Sequence, residues 1–298
     1  MQDHTSGTCL QYADDTSLYY HTVVSELQTC VQKVSTDLLA LKTWSSNTNL
    51  VFNSTKTKTI LFSTKQMSRY HNLHDKDLYV IQPGETPLER VNSFKLLGVM
   101  FSCDLTWNEH ISKTIKNCYA TLKSLRRIKN YTPIHVRKNL AQALVLSKLD
   151  YANAVFYNAP EYLKKQMQRV QNSAASFVQR RYMKEADVVH LDWLPIRERI
   201  EYSICKLAFK ALYFQNWPKY LPLTLSSTQR NLRSITSKTK IDTISCNTKV
   251  EHTFEHTSSQ VFNSLPQTCR RCTNFTEFST ATRNYLKDKA LARIVQNS

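Results

Sequence analysis

Apolar and polar residues alternate in two short runs near the amino terminus. The first run is Thr8-Cys9-Leu10-Gln11, and the second is Ser17-Leu18-Tyr19-Tyr20. Alternation with a period of two is typical of half-buried β-strands. The pattern therefore predicts a β-hairpin that carries the tetrapeptide Tyr12-Ala13-Asp14-Asp15 at its tip.

An amphipathic helix is predicted after the hairpin, because apolar residues recur four and three positions apart. These residues are Leu27, Val31, Val34, Leu38 and Leu41. Further along, Asn53-x-x-Lys56-Thr57 leads into the apolar run Ile60-Leu61-Phe62, and a second strand is predicted at Phe94-Lys95-Leu96-Leu97-Gly98-Val99. Residues 64–92 are polar and contain Pro83-Gly84 and Pro87, so we expect a loop or an irregular hairpin there.

From residue 104 onwards the apolar spacing is helical. A first helix, with Asp104 or Thr106 available as its cap, carries the apolar positions Ile111, Ile115, Cys118, Leu122 and Leu125. A second helix begins at Thr132-Pro133, with the proline at its first helical position. Its predicted apolar side consists of Val136, Leu140, Ala143 and Leu144.

Four more helices are predicted towards the carboxyl terminus. They begin near Pro160 and Pro195 and cover about 254–264 and 275–296. The whole order predicts an α+β fold, in which short antiparallel strands and a helix come first and a mostly helical region follows.

Composition excludes several classes of protein. The 298 residues suffice for about two domains, but they include only three glycines, so glycine-rich phosphate loops are excluded. No leader peptide and no apolar run near the roughly 20 residues needed to cross a bilayer is present. We interpret the eight irregularly spaced cysteines as reduced thiols in an intracellular protein, nuclear or cytoplasmic, without a membrane association or a disulfide-linked partner.

The positive charge is confined to one part of the chain. Residues 1–100 hold nine basic and nine acidic residues, whereas residues 101–298 hold 31 basic and 14 acidic residues, so the net charge of +17 lies entirely in the second part. Basic residues near Tyr119, Tyr131 and Tyr182 include Lys123, Arg126, Arg127, Lys129, Arg137, Lys138, Lys164, Lys165, Arg169, Arg180 and Arg181. This distribution favours nucleic acid as a partner; the alternative is a solvated, unspecific basic surface.

Two adjacent carboxylates on a tight turn suit Mg²⁺, a hard cation that prefers oxygen ligands. The alternative for Asp14 and Asp15 is an ordinary solvated turn.

The order of these elements resembles the second half of the palm of a non-LTR (LINE-type) retrotransposon reverse transcriptase. The Tyr-Ala-Asp-Asp box, the helix, the Asn-x-x-Lys-Thr turn and the Phe-x-x-Leu-Gly strand carry the resemblance. Similar stretches continue through residues 170–175, 194–200 and 262–266, so the likeness covers nearly the whole chain. It implies a partial palm at 1–103 with a primer-grip-like strand, a helical thumb at 104–215 and a basic carboxyl-terminal helical region at 216–298.

The resemblance also implies residue roles in RNA-directed DNA synthesis. Asp14 and Asp15 would bind Mg²⁺, with Tyr12 and Ala13 near the primer terminus. Lys56 would lie near the leaving pyrophosphate, or it is a solvated lysine at a strand entry. Phe94, Leu97 and Gly98 would contact the primer, although a strand glycine is also typical of a bulge. The partners would be an RNA template and a DNA primer.

In that family a further metal-binding aspartate and the fingers precede the box, but only eleven residues precede Tyr12 here. We therefore expect a truncated nucleotidyltransferase that is inactive on its own. The alternative is a non-catalytic, basic nucleic-acid-binding protein derived from such an element.

A zinc site is a separate possibility near the carboxyl terminus. His252, His256, Cys269 and Cys272 have the types and local spacings of tetrahedral zinc ligands. The intervening residues 261–266 instead match the core pattern of the family that the chain resembles.

Overall fold

A computed structural model of the chain describes residues 5–51, 53, 55–75, 78–84, 86–225, 240–242 and 253–296. The chain forms two compact units, Met1–Glu109 (the amino-terminal unit) and His110–Ser298 (the helical unit). Helices predominate, and the described strands form three two-stranded sheets, so the fold is mixed and compatible with the predicted α+β class.

The amino-terminal unit opens with the predicted hairpin. Strands β1 (Thr8–Tyr12) and β2 (Asp15–Tyr19) are antiparallel, and Tyr12 pairs with Asp15 across a two-residue turn. A short 3₁₀ turn then leads into helix α1 (Leu27–Asn47). The predicted apolar stripe of this helix is confirmed, because four of its five residues are buried: Leu27, Val31, Leu38 and Leu41.

Two predictions for the rest of the amino-terminal unit were wrong. Residues 64–92 were predicted to form a loop or an irregular hairpin, but helix α2 (Lys65–Tyr70) forms there. The Thr64 hydroxyl caps this helix by accepting from the Met67 N–H at 3.2 Å. A local cap of this kind leaves no apolar periodicity in the sequence. The two-residue strands β3 (Lys58–Thr59) and β4 (Glu89–Arg90) pair in parallel.

The second wrong prediction concerns the Phe-x-x-Leu-Gly segment, which forms a hairpin and not a single strand. Strands β5 (Ser93–Leu96) and β6 (Val99–Ser102) are antiparallel, and Leu97 and Gly98 form the turn between them, with φ angles of 45° and 84°. Tight hairpin turns of this hand require positive φ at their central residues. Gly98 therefore lies in a turn. The prediction of one continuous strand over 94–99 was wrong, and so was the alternative of a strand bulge at Gly98.

The helical unit contains nine described α-helices and two shorter helical turns. The α-helices are α3 (Asn108–Arg127, which begins at the unit boundary), α4 (Ile134–Ala141), α5 (Ser147–Asp150), α6 (Glu161–Gln179), α7 (Glu185–His190), α8 (Ile196–Tyr213), α9 (Phe254–Asn263), α10 (Gln267–Arg270) and α11 (Phe275–Gln296). A π-helical turn (Gln142–Leu146) joins α4 to α5, and a 3₁₀ turn (Asn153–Phe156) precedes α6. The core includes stacked rings: Phe278 lies 4.6 Å from Phe209 and 5.8 Å from Phe262, measured between ring centres.

The start of α3 differs from its prediction. The Asp104 carboxylate accepts hydrogen bonds from the Thr106 N–H at 3.2 Å and from the Ser102 hydroxyl at 2.7 Å. It therefore stabilises the turn before the helix, which begins only at Asn108.

The predicted apolar side of the second helix was correct only in part, because Val136 and Leu140 are half-buried. Ala143 and Leu144 are exposed, whereas Ala141 and Val145 are buried together with Arg137. An arginine at an inward-facing position breaks the apolar pattern, so the spacing read from the sequence selected the neighbouring face. The proline is the residue before α4 and not its first helical residue.

Candidate nucleic-acid interface

The carboxylate hairpin is anchored to α1 by one buried side chain. The Asp37 carboxylate accepts from the Ser6 N–H at 2.6 Å, from the Ser6 hydroxyl at 2.9 Å and from the Tyr20 hydroxyl at 2.5 Å. Burial acts to raise the pKa of Asp37, but the hydrogen bonds from Tyr20 and Ser6 outweigh it and hold that pKa below its ordinary value. Because Ser6 and Tyr20 flank the hairpin, Asp37 fixes both of its ends.

The tip of this hairpin presents Asp14 and Asp15 to solvent. Asp14 lies in the turn, Asp15 begins β2, and both are exposed. Within the described chain, neither carboxylate has a hydrogen-bond or ion-pair partner, and no group of three metal-ligating side chains occurs. Two carboxylates fit Mg²⁺ when substrate phosphates and waters complete its coordination. The pair is thus available for a shared ion but is not fixed in a closed cage.

Lys56 follows a turn built by Asn53. The Asn53 side-chain oxygen accepts from the Lys56 N–H at 3.0 Å, and the Asn53 carbonyl accepts from the Thr57 hydroxyl at 2.8 Å. This geometry agrees with the predicted turn, and the Lys56 side chain is exposed. The next lysine, Lys58, pairs with Glu89 at 2.5 Å.

The three groups of predicted polymerase residues lie on separate small sheets. The carboxylates are on β1–β2, Lys56 precedes β3, and Phe94, Leu97 and Gly98 are on the β5–β6 hairpin. Phe94 is half-buried opposite Phe101, whereas Leu97 and Gly98 are exposed. In the described part of the chain these strands do not join one sheet but form three separate pairs.

Arg137 was predicted to be one of the cations that bind nucleic acid, but its side chain is buried. It is only 6% exposed, its Nε donates to the Val178 carbonyl at 2.9 Å, and its terminal nitrogen donates to the carbonyls of Thr132 and Lys129. These carbonyls lie at the end of α6 and in the α3–α4 loop, where backbone acceptors lack helical partners. Arg137 is therefore a structural residue and is not available to bind phosphate.

Other predicted cations remain on the surface. Arg180 caps the carboxyl end of α6 and donates to the carbonyls of Lys129 and Asn130 at 2.8 and 3.0 Å, so it brings that end next to the α3–α4 loop. We define the basic surface as the cations and tyrosines around this junction: Lys123, Arg126, Arg127, Lys129, Tyr131, Lys138, Arg180 and Tyr182.

Charge and exposure distinguish the basic surface from an ordinary helix face. Residues 110–149 and 162–184 contain no Asp or Glu. Lys123, Arg126 and Arg127 are exposed and form no ion pair within the residues that the structure describes. Tyr131 and Tyr182 are 87% and 79% exposed, which is unusual for large aromatic side chains. In the sequence Arg180 is one of many cations, and nothing in the pattern indicates its contact with the loop.

The predicted zinc ligands do not form a described cluster. Cys269 is buried, His256 and Cys272 are half-buried, and the Cys272 thiol donates to the Thr268 carbonyl at 3.5 Å. His252 lies outside the described residues, so the zinc site stays a prediction.

Comparisons with protein-family models, with curated proteins and with solved structures find no match for this chain. Of the helices that the structure describes, none is long and apolar enough to cross a membrane. Proposals about function therefore depend on the residues themselves.

Proposed function

We propose that this protein binds nucleic acid through the basic surface. The observation that carries the proposal is the set of exposed cations at the junction of α3, α4 and α6, which has no acidic residue among its sequence neighbours and which includes two exposed tyrosines. Cations neutralise backbone phosphates, and tyrosine rings stack on unpaired bases.

Part of the positive charge at this junction has a structural use. Arg137 and Arg180 donate to backbone carbonyls at helix ends, where cations are stabilising in any protein. Lys123, Arg126 and Arg127 make no such described contact, so their charges are available to an external anion. Binding through several phosphates should weaken steeply with salt, with a slope of log affinity against log salt of about −3 to −5.

A pair of matched triple variants of the full chain tests the proposal. Lys123→Gln with Arg126→Gln and Arg127→Gln should raise the Kd for a labelled single-stranded RNA by tenfold or more at low salt, as measured by fluorescence anisotropy. The control variant removes the same charge from exposed lysines of the amino-terminal unit: Lys33→Gln, Lys42→Gln and Lys95→Gln. Equal effects of the two triples would show that net charge, and not this surface, governs binding.

We also propose that the chain derives from a reverse transcriptase of the LINE type. The exposed Asp14-Asp15 turn, anchored through Asp37, supports this second proposal. Asp14 and Asp15 would hold Mg²⁺, which neutralises the charge on a nucleoside triphosphate when bound. Lys56 would bind the leaving pyrophosphate, while Tyr12, Ala13, Phe94, Leu97 and Gly98 would contact the primer.

This second proposal includes an expected lack of activity for the 298-residue chain. Two carboxylates without a third described ligand should bind Mg²⁺ too weakly to position a primer and a nucleotide together. We expect no template-dependent primer extension by the purified chain. Extension that disappears in the variant Asp14→Asn would contradict that expectation and would make the polymerase the principal function.

A further inference from the structure

An open cleft of about 750 Å³ lies in the helical unit, and none of its lining residues belongs to the basic surface. Its walls come from α8, from the first turns of α11 and from the 3₁₀ turn Asn153–Phe156. Clefts of roughly 300–1,000 Å³ are the usual size for sites that bind small organic molecules.

Cations outnumber carboxylates in this cleft. Lys206 and Lys210 lie one turn apart on α8, and neither forms an ion pair within the described chain. The ammonium group of Lys206 lies 4.6 Å from the ring centre of Tyr202, and that of Lys210 lies 5.5 Å from the ring centre of Phe275. Arg283 also lines the cleft, where Asp192 binds it at 2.9 Å.

The carboxylate in the cleft wall already has a partner. Asp150 binds Arg199 at 2.9 Å. Asp150 also attracts Lys206 electrostatically but forms no ion pair with it. Three cations and one carboxylate line the cleft, so the cleft as a whole favours an anion.

Polar side chains of the wall also face the cleft. Asn153 is only 3% exposed and lines the cleft. The Ser279 hydroxyl, also in the wall, is buried and has no hydrogen-bond partner among the described residues. Leaving a buried hydroxyl unsatisfied is costly, so its placement at a cationic cleft indicates a polar ligand.

We propose that this cleft binds a phosphate group carried by an organic molecule of mononucleotide size. Lys206 and Lys210 would neutralise the phosphate, the positive end of the α11 dipole would add to their field, and Asn153 would donate to it from the wall. The Phe275 ring would contact the organic part. The phosphate belongs either to a free nucleotide or to the end of a nucleic-acid strand. This site uses none of the cations of the basic surface and so stands independently of the function proposed above.

Binding measurements on the full chain separate the two sources of phosphate. The probes are sodium phosphate, AMP, and a short RNA with either a 5′-phosphate or a 5′-hydroxyl, each at an ionic strength matched with potassium chloride. We expect binding to the protein to broaden the phosphorus NMR signals of phosphate and of AMP. Each of these ligands should also raise the Tm of the protein. A preference for the 5′-phosphorylated RNA over AMP would assign the site to strand ends, and the reverse preference would assign it to free nucleotides.

Variants localise the binding to the cleft. Lys206→Gln with Lys210→Gln should raise the Kd for AMP by about tenfold or more. Asn153→Asp, which keeps the side-chain shape but adds a negative charge, should do the same. Lys164→Gln with Lys165→Gln removes equal charge from α6 and should change the Kd by less than twofold. Lys210→Arg, which keeps the charge, should retain binding, and the double Gln variant should keep the Tm that the unchanged chain has without ligand.

The proposal is overturned if AMP has no effect beyond that of chloride, or if the cleft variants bind AMP as well as the control does. The triple variant of Lys123, Arg126 and Arg127 should leave AMP binding unchanged. Failure of the basic surface and failure of the cleft are therefore distinguishable in the same set of proteins.

Discussion

In the hairpins that the structure describes, two residues other than glycine occupy turn positions with positive φ. Ala13 has φ 52° in the carboxylate hairpin, and Leu97 has φ 45° beside Gly98. A side chain with a Cβ atom is strained in this region by roughly 1–2 kcal/mol, whereas Asn and Gly tolerate it. The strain at Ala13 lies directly next to the two carboxylates, so the hairpin tip combines an unfavourable backbone with exposed acidic groups.

Leu97→Asn tests this account of the β5–β6 turn. Asn-Gly is the preferred pair for a two-residue turn of this hand, and Leu97 is exposed, so little packing is lost. We expect the free energy of unfolding of the amino-terminal unit to rise by about 1 kcal/mol, measured by urea denaturation. Leu39→Asn, at an exposed leucine within α1, should give no gain. Equal changes in both variants would show that the effect comes from replacing an exposed leucine by a polar residue and not from the turn conformation.

Arg137 and its neighbour Lys138 separate a structural cation from a surface cation. Arg137→Met removes the donors for the carbonyls of Val178, Thr132 and Lys129, and it should lower the free energy of unfolding by about 3 kcal/mol. Lys138→Met makes the same chemical change at a half-buried position without a described hydrogen bond and should cost less than about 0.5 kcal/mol. Urea denaturation followed by circular dichroism measures both. A small effect of Arg137→Met would return this residue to the set of candidate phosphate ligands.

At the scale of elements, helices with complete apolar stripes were predictable and elements fixed by single polar contacts were not. Helix α6, predicted to begin near Pro160, begins at Glu161, and its evenly spaced apolar residues are buried: Leu163, Met167, Val170, Ala174 and Phe177. The turn at Leu97-Gly98 and the inward side of α4 depend on backbone φ angles and on Arg137, neither of which leaves a periodic signal. The cations of the candidate interface were likewise predictable from the sequence. Which of them have a structural role was not, because that depends on the backbone carbonyls that Arg137 and Arg180 contact.

Helix α11 is joined to α7 and α8 by a partly buried ion network. Glu198 has no exposed surface, and Arg293 donates to its two oxygens at 2.9 and 3.2 Å while also binding Glu185 at 2.5 Å. Burial raises the pKa of the Glu198 carboxyl above its ordinary value, and Arg293 offsets only part of that rise. The network thus joins three helices at the cost of holding a carboxylate away from water.

Arg293→Met should lower the free energy of unfolding by about 3–5 kcal/mol near neutral pH, because it leaves a buried carboxylate without a counter-charge. The loss should diminish on acidification. A carboxyl whose pKa is raised in the folded state is stabilised by protonation, so stability falls as the pH rises from the ordinary pKa of Glu towards the folded one. Denaturation of the variant at pH values on either side of that window measures the effect. Adding Glu198→Gln should recover much of the loss; a double variant as unstable as the single one would contradict the network.

At the scale of the whole molecule, the two units differ in how completely their elements are covered. In β1 and β2 the buried residue is Cys9, while Leu10, Tyr12 and Tyr19 are exposed and the described sheet has two unpaired edges. In α6 and α8 the inward residues are almost fully buried. Amide groups exchange slowly when many buried apolar contacts must break before they open.

Hydrogen exchange of the full chain should therefore be faster in the amino-terminal unit than in the helical unit. Amides of residues 8–20 depend on a single strand pairing and on Asp37, so they should exchange by local opening, and Asp37→Asn should accelerate them further. Amides of residues 160–181 and 196–213 should exchange only with unfolding of the helical unit and should be unaffected by that variant. Exchange measured by mass spectrometry tests the order. Slow exchange at 8–20 together with fast exchange at 160–181 would show that the hairpin, and not the helices, is the stable part of the chain.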